Sequence, residues 1–151
     1  MVFGADIEVV QFISISDFSN WKDLIVYRKI TEIEVLKLLG ESLIYIGNSL
    51  SDGMPNTLLE AIIMGAYPIQ SNPGKATEEI INSGKNGLLI ENPEDENEIR
   101  NLILSAINDK ESLKRGVEYN NKHVRPELER DIVKQRVLKQ YKIVEEEVKK
   151  L

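Results

Sequence analysis

The stretch Ser42-Leu-Ile-Tyr-Ile-Gly-Asn48, continued by Ser49-Leu-Ser-Asp-Gly-Met-Pro-Asn-Thr57 and by Leu58-Leu-Glu-Ala-Ile-Ile-Met-Gly65, decides how this chain is read. Ser42–Ile46 is a short apolar run, the signature of a buried strand, and Gly47-Asn48 ends it. A polar loop runs to Pro55, whose fixed φ suits the first turn of a helix. That helix covers Asn56 to Met64 and stops at Gly65. Ala66–Gln70 is again a strand, and Ser71-Asn-Pro-Gly74 is a turn. Strand, loop, helix and strand in such close succession form the unit from which parallel sheets are built.

The same alternation extends outward. Upstream, Ile7–Ile15 is rich in Ile and Val, and Asp23–Tyr27 holds a second short strand. Thr31 with Glu34 three residues on is a capping box, opening a helix to Leu39 with Ile33 and Leu36 on one face. Downstream, Thr77–Asn82 is read as a helix closed by Gly84, and Gly87–Ile90 as a strand. Beyond Glu94 the pattern is helical. Ile99, Leu102, Ile103, Ala106 and Ile107 share a face, a shorter helix covers Glu111–Asn120, and Pro126 opens a long charged one. That last helix carries an apolar stripe of Ile132, Val133, Val137, Leu138, Tyr141 and Val144. The expectation is an α/β fold, a Rossmann-like doubly wound parallel sheet of five or six strands with C-terminal helices. It forms one domain over residues 1–151, mainly helical over 94–151, with ligands outside the carboxyl ends of the strands.

Composition narrows the function. The chain has 151 residues, a formal charge of −6 and 42% hydrophobic residues, enough for an ordinary core. With no cysteine there is no disulfide framework, thiolate zinc site or cysteine nucleophile. An acidic balance argues against nucleic-acid partners, which need basic surface. No apolar run approaches the roughly 20 residues that span a bilayer, and no basic stretch precedes an apolar one at the amino terminus. A cytoplasmic location is expected.

The loop after Ser42–Ile46 carries the chemistry. Gly53 is expected to permit a backbone conformation closed to other residues and a close approach by a ligand. The helix behind it presents unpaired N–H groups and the positive end of its dipole, which favours an anion such as a diphosphate. Ser49, Ser51, Asn56 and Thr57 offer further hydroxyl and amide groups. The plain alternative is a turn with a capped helix. Glu60 adds weight to the ligand reading as the only charge between Thr57 and Gly65. A lone carboxylate on a helix apolar nearly all round is costly to bury without hydrogen bonds. A pair of ribose hydroxyls would supply them. Capture by the helix N-terminus or a neighbouring loop would do so too.

Asp52-Gly-Met-Pro-Asn-Thr-Leu-Leu-Glu60 resembles the Glu-x7-Glu motif of family 4 (group 1) retaining glycosyltransferases of the GT-B fold. Ala61-Ile-Ile-Met-Gly-Ala-Tyr-Pro-Ile-Gln-Ser-Asn-Pro-Gly74 resembles the strand and turn that follow in that family. Thr77-Glu-Glu-Ile-Ile81 and Asn86-Gly-Leu-Leu-Ile90 resemble its later elements in order and spacing, Glu79 standing at the family's glutamate. The likeness is strongest over Ser49–Asn92. It implies the donor-binding, C-terminal half of an enzyme that moves a sugar from a nucleoside diphosphate sugar, UDP or GDP type, to a glycan or lipid-linked acceptor with retention. Glu60 would hold the ribose hydroxyls. Asp52 stands where a glutamate facing the sugar is usual, one methylene shorter. Gly53, Met54, Pro55 and Asn56 fall where backbone amides meet the sugar and distal phosphate, although Pro55 has no N–H to give. Thr57 falls near the diphosphate. No catalytic nucleophile, base or metal ligand is implied within the chain, and no cofactor beyond the donor itself.

The family's Arg and Lys clamp on the diphosphate has no counterpart here. Arg28-Lys29 follows the wrong strand and is read as a solvated strand end, and Gly74-Lys75 replaces the commoner Gly-Gly. The chain is therefore expected to be a fragment, inactive alone, lacking the first strand and the N-terminal acceptor domain. The final helix would pack across the domain junction or on this domain. The resemblance suggests surface polysaccharide synthesis in a bacterium, and allows peripheral attachment of the full protein to the inner face of a membrane. The competing readings are a non-catalytic flavodoxin-like module and a GT-B sugar-nucleotide epimerase. Of the remaining residues, His123 reads as an exposed linker residue, Glu78-Glu79 as a helix start, and Trp21 and Tyr27 as packing.

Overall fold

The computed structural model describes Val2–Phe3 and residues 20–149. It divides into two compact units, Met1–Leu38 and Leu39–Leu151. In the first unit, β1 (Val2–Phe3) pairs in parallel with β2 (Val26–Tyr27), Val2 opposite Val26. The strand expected over Asp23–Tyr27 is thus shorter, and the one expected over Ile7–Ile15 lies outside the described residues. Helix α1 (Glu32–Glu41) starts in this unit and opens as its sequence requires. The Thr31 amide donates to Glu34 Oε2 (2.8 Å) and the Glu34 amide to Thr31 Oγ1 (3.3 Å), a closed capping box. The Thr31 hydroxyl, which also donates to Glu34 Oε2 (2.6 Å), and then the Thr31 amide hold the Glu34 carboxyl below its ordinary range. Trp21, expected to pack, is 61% exposed.

The second unit is built on three parallel strands, β3 (Ile44–Gly47), β4 (Tyr67–Ser71) and β5 (Leu88–Ile90), in the spatial order β3-β4-β5. Ile44 lies opposite Tyr67, and Ile69 opposite Leu88. Every residue of central β4 is buried, so both of its faces are covered, as crossover helices require of a parallel sheet. One face carries Tyr67 and Ile69. They pack with Ile90, Ala106 and Leu113, the last two from α3 (Glu96–Asn108) and α4 (Lys110–Tyr119). Helix α2 (Asn56–Met64) connects β3 to β4 and buries Leu58, Ala61 and Ile62. It ends at Gly65, whose φ of 94° only glycine adopts without strain. The Gly65 and Ala66 amides both return to the Ala61 carbonyl, at 3.0 and 2.9 Å.

Two expectations are corrected here. The helix read over Thr77–Asn82 is only a tight 3-10 turn, Ala76–Glu79. The Asn86 side chain competes for its backbone: Oδ1 takes the Asn82 amide (2.7 Å) that a longer helix would have used, and Nδ2 donates to the Ile80 carbonyl (2.9 Å). Pro126 opens not the last helix but a turn, Arg125–Leu128, and α5 (Arg130–Val148) starts after an extended Glu129. All of α5 is exposed, including Val133, Val137, Tyr141 and Val144, and it packs chiefly on the turn before it. Its ion pairs, Arg136 with Glu127 and Lys149 with Glu145, are solvent-exposed and add little. Among the described residues, no helix is long and apolar enough to cross a membrane.

Candidate functional site

Parallel strands deliver their carboxyl ends to one edge, so the loops after β3 (residues 48–55), β4 (72–75) and β5 (91–95) emerge side by side. Side chains tie them together. The Ser49 amide donates to Ser71 Oγ (2.9 Å), and Asn48 Nδ2 donates to the Pro93 carbonyl (2.9 Å). A Cβ added to Gly74 would lie 3.2 Å from the Asp52 carbonyl, so the turn after β4 abuts the loop after β3. This edge is a joined platform.

The amino end of α2 follows the loop after β3. Pro55 occupies the cap position rather than the first helical one, with φ −68° and ψ 127° and no side chain capping the helix. The Leu58 amide reaches the Pro55 carbonyl (3.2 Å), and the preceding amides of Asn56 and Thr57 have no partner within the helix. Uncapped amides at a dipole's positive end suit an anion. Gly53 departs from expectation: its φ is not positive. Its amide is taken by Asp52 Oδ1 (2.8 Å), and a Cβ built on it would meet nothing within 4 Å. The glycine leaves open space above the loop instead of enabling a left-handed turn.

Asp52 and Asn56 are exposed, while Met54, Pro55, Thr57 and Glu60 are half-buried. Glu60 lies one turn into α2, and among the described residues nothing bonds to its carboxylate. Asp52 and Glu60, eight positions apart, both bear on the hydroxyl of Tyr45. Burial, then the Asp52 and Glu60 charges, push that phenol up to about 12. The hydroxyl donates to Gln70 Oε1 (3.3 Å), and Gln70 Nε2 in turn donates to Ser71 Oγ (3.3 Å). Gly47 leaves room for this relay, because a Cβ there would collide with the Gln70 amide and the Tyr45 hydroxyl. Tyr45, Gln70 and Ser71 were not singled out in the sequence. The signal for them is two adjacent polar residues closing an apolar strand.

The phenol gives a measurable consequence. In the unfolded chain a tyrosine ionises near its ordinary value of about 10. Between that pH and about 12 the unfolded state sheds a proton that the folded state keeps. Stability is therefore full below the lower value and falls as pH rises, by up to roughly 1.4 kcal/mol per pH unit. Absorbance at the tyrosinate band should show a step near 12, and Tyr45→Phe should remove it. A late step unchanged in Tyr45→Phe would reassign it, Tyr67 being the other phenol pushed up, by burial and by Asp109.

Hollows lie at the opposite edge, where the strands begin. One is lined by Tyr67, Gly84, Leu88, Asp109 and Leu113. His123, as expected, is exposed, its ring 4.6 Å from that of Tyr119. Among the described residues no cluster of three or more acidic or histidine side chains is placed to hold a metal ion.

The family model described as "Glycosyl transferases group 1" matches residues 13–123, well over half of the chain. No curated protein matches it.

Proposed function

The chain belongs to the group 1 glycosyl transferases, and from that premise we propose that its carboxyl edge binds the nucleoside diphosphate sugar of a retaining transfer. Glu60 takes the ribose hydroxyls, and the amides of Asn56 and Thr57 face the diphosphate. Asp52, Gly53 and Met54 line the sugar end, and Pro55 shapes the loop without donating. The proposed reaction moves the sugar to a glycan or lipid-linked acceptor held by a further domain. This domain acts as half of a GT-B pair that closes to exclude water. Charge growing on the leaving diphosphate is met by pre-set dipoles, an electrostatic contribution that needs no acid or base from this chain.

What carries the reading is Glu60: a half-buried carboxylate without a partner among the described residues, one turn behind open amides. Taking that charge further out of water without bonds would be costly, and a bound ribose would supply them. The test is a titration of the chain with UDP, GDP and FMN, observed on the ligand by NMR. We expect one nucleoside diphosphate to bind weakly and saturably. Binding of FMN alone would replace the proposal with a flavodoxin-like function.

A further inference from the structure

The turn Asn72–Lys75 gathers two local costs that the rest of the described chain avoids. Lys75 has φ 60° and ψ 4°, the sole non-glycine residue with positive φ among the described residues. A side chain with a Cβ disfavours that conformation, and glycine would adopt it freely. Asn72 is 8% exposed and directs Nδ2 to Glu78 Oε1 (2.6 Å). Its Oδ1 is the single buried side-chain oxygen or nitrogen without a partner among the described residues. Such costs persist where the surroundings have a use for them, typically at ligand sites.

Charge says what the use is. The loops at the carboxyl edge, residues 48–55, 72–75 and 91–95, carry Asp52, Glu91, Glu94 and Asp95, and Lys75 is their single cation. Lys75 is exposed, and no carboxylate pairs with it among the described residues. Gly74 abuts the Asp52 backbone, and consecutive Cα atoms lie about 3.8 Å apart, so a flexible four-carbon stem rooted at Lys75 can reach across the loop before α2. An anion at the α2 terminus would otherwise meet a negative edge.

We propose that Lys75 is a donor-binding residue whose ammonium pairs with the diphosphate of the nucleotide, the strained backbone being kept to present it. This deepens the donor reading and depends on it. The test compares the full chain with Lys75→Gly and Lys75→Arg, measuring affinity for UDP and GDP against UMP and GMP together with the melting temperature. Lys75→Gly should bind the diphosphate roughly tenfold more weakly, the equivalent of about 1.4 kcal/mol. Its monophosphate affinity should change much less, while its melting temperature rises by roughly 2–4 °C as the strain is relieved. Lys75→Arg should keep the diphosphate preference. Unchanged diphosphate binding in Lys75→Gly overturns the role of Lys75 and leaves the donor site standing. Failure of the unmodified chain to bind any nucleoside diphosphate overturns the donor reading, and this inference with it.

Discussion

Glu60→Ala is expected to remove nucleoside diphosphate binding without weakening the fold. Two hydroxyl donors on one carboxylate are charge-assisted hydrogen bonds, each worth about 1.5–3 kcal/mol. Losing both should lower affinity on the order of a hundredfold, which takes a weak complex out of range of ligand-observed NMR. The stability half of the prediction separates a site from a structural role. Among the described residues the carboxylate makes no bond, so alanine leaves nothing orphaned and relieves the desolvation of a half-buried charge. The melting temperature should stay level or rise. A clear drop in melting temperature would instead mean that Glu60 braces the fold, and the site would have to be sought elsewhere.

The largest loss of stability should come from Asn86→Ala. Asn86 and Asn120, each 1% exposed, stand 34 positions apart and hold one another. Asn86 Nδ2 donates to Asn120 Oδ1 (2.8 Å) and to the Ile80 carbonyl (2.9 Å), and Asn86 Oδ1 accepts from the Asn82 amide (2.7 Å). Asn120 Nδ2 completes the ring on the Asn86 carbonyl (2.8 Å). Alanine would strand an amide, a carbonyl and a side-chain oxygen together, each costing about 1–3 kcal/mol if water cannot reach it. A net cost of about 3–5 kcal/mol is expected, a large share of the roughly 5–15 kcal/mol that holds most domains. Thermal melting should fall by roughly 10–15 °C, while exposed Asn121→Ala should change it little. A double Asn86→Ala, Asn120→Ala variant should cost clearly less than the two singles added, because they share one network. Strict additivity, or a small loss for Asn86→Ala, would show the network to be dispensable.

The elements around the site were legible because local chemistry sets them. The Thr31 and Glu34 box opens α1, Gly65 stops α2 with a positive φ, and the apolar runs at β3, β4 and β5 fall where their composition puts them. Family likeness likewise needs no coordinates, since linked motifs in one order are a property of the string. The errors also have local causes. Gly53 permits a backbone conformation closed to other residues, but permission is not use, and its amide simply folds back on Asp52. Thr77–Asn82 has the composition of a helix, yet the Asn86 side chain draws its backbone into other bonds.

By itself, the sequence determined an alternating α/β chain, the loop and helix that carry the candidate site, and Glu60 as its isolated charge. These follow from periodicity, turn chemistry and the cost of a lone carboxylate in an apolar helix, all of which act over a few residues. Only the tertiary structure decided that Tyr45, Gln70 and Ser71 form a relay beneath Asp52 and Glu60, that Asn86 pairs with Asn120, and that the turn at Lys75 abuts the Asp52 loop. Each joins residues far apart in the chain, through strand register and packing. A polar side chain looks the same in the string whether water or a distant partner satisfies it. Folding alone removes the water and leaves the partner.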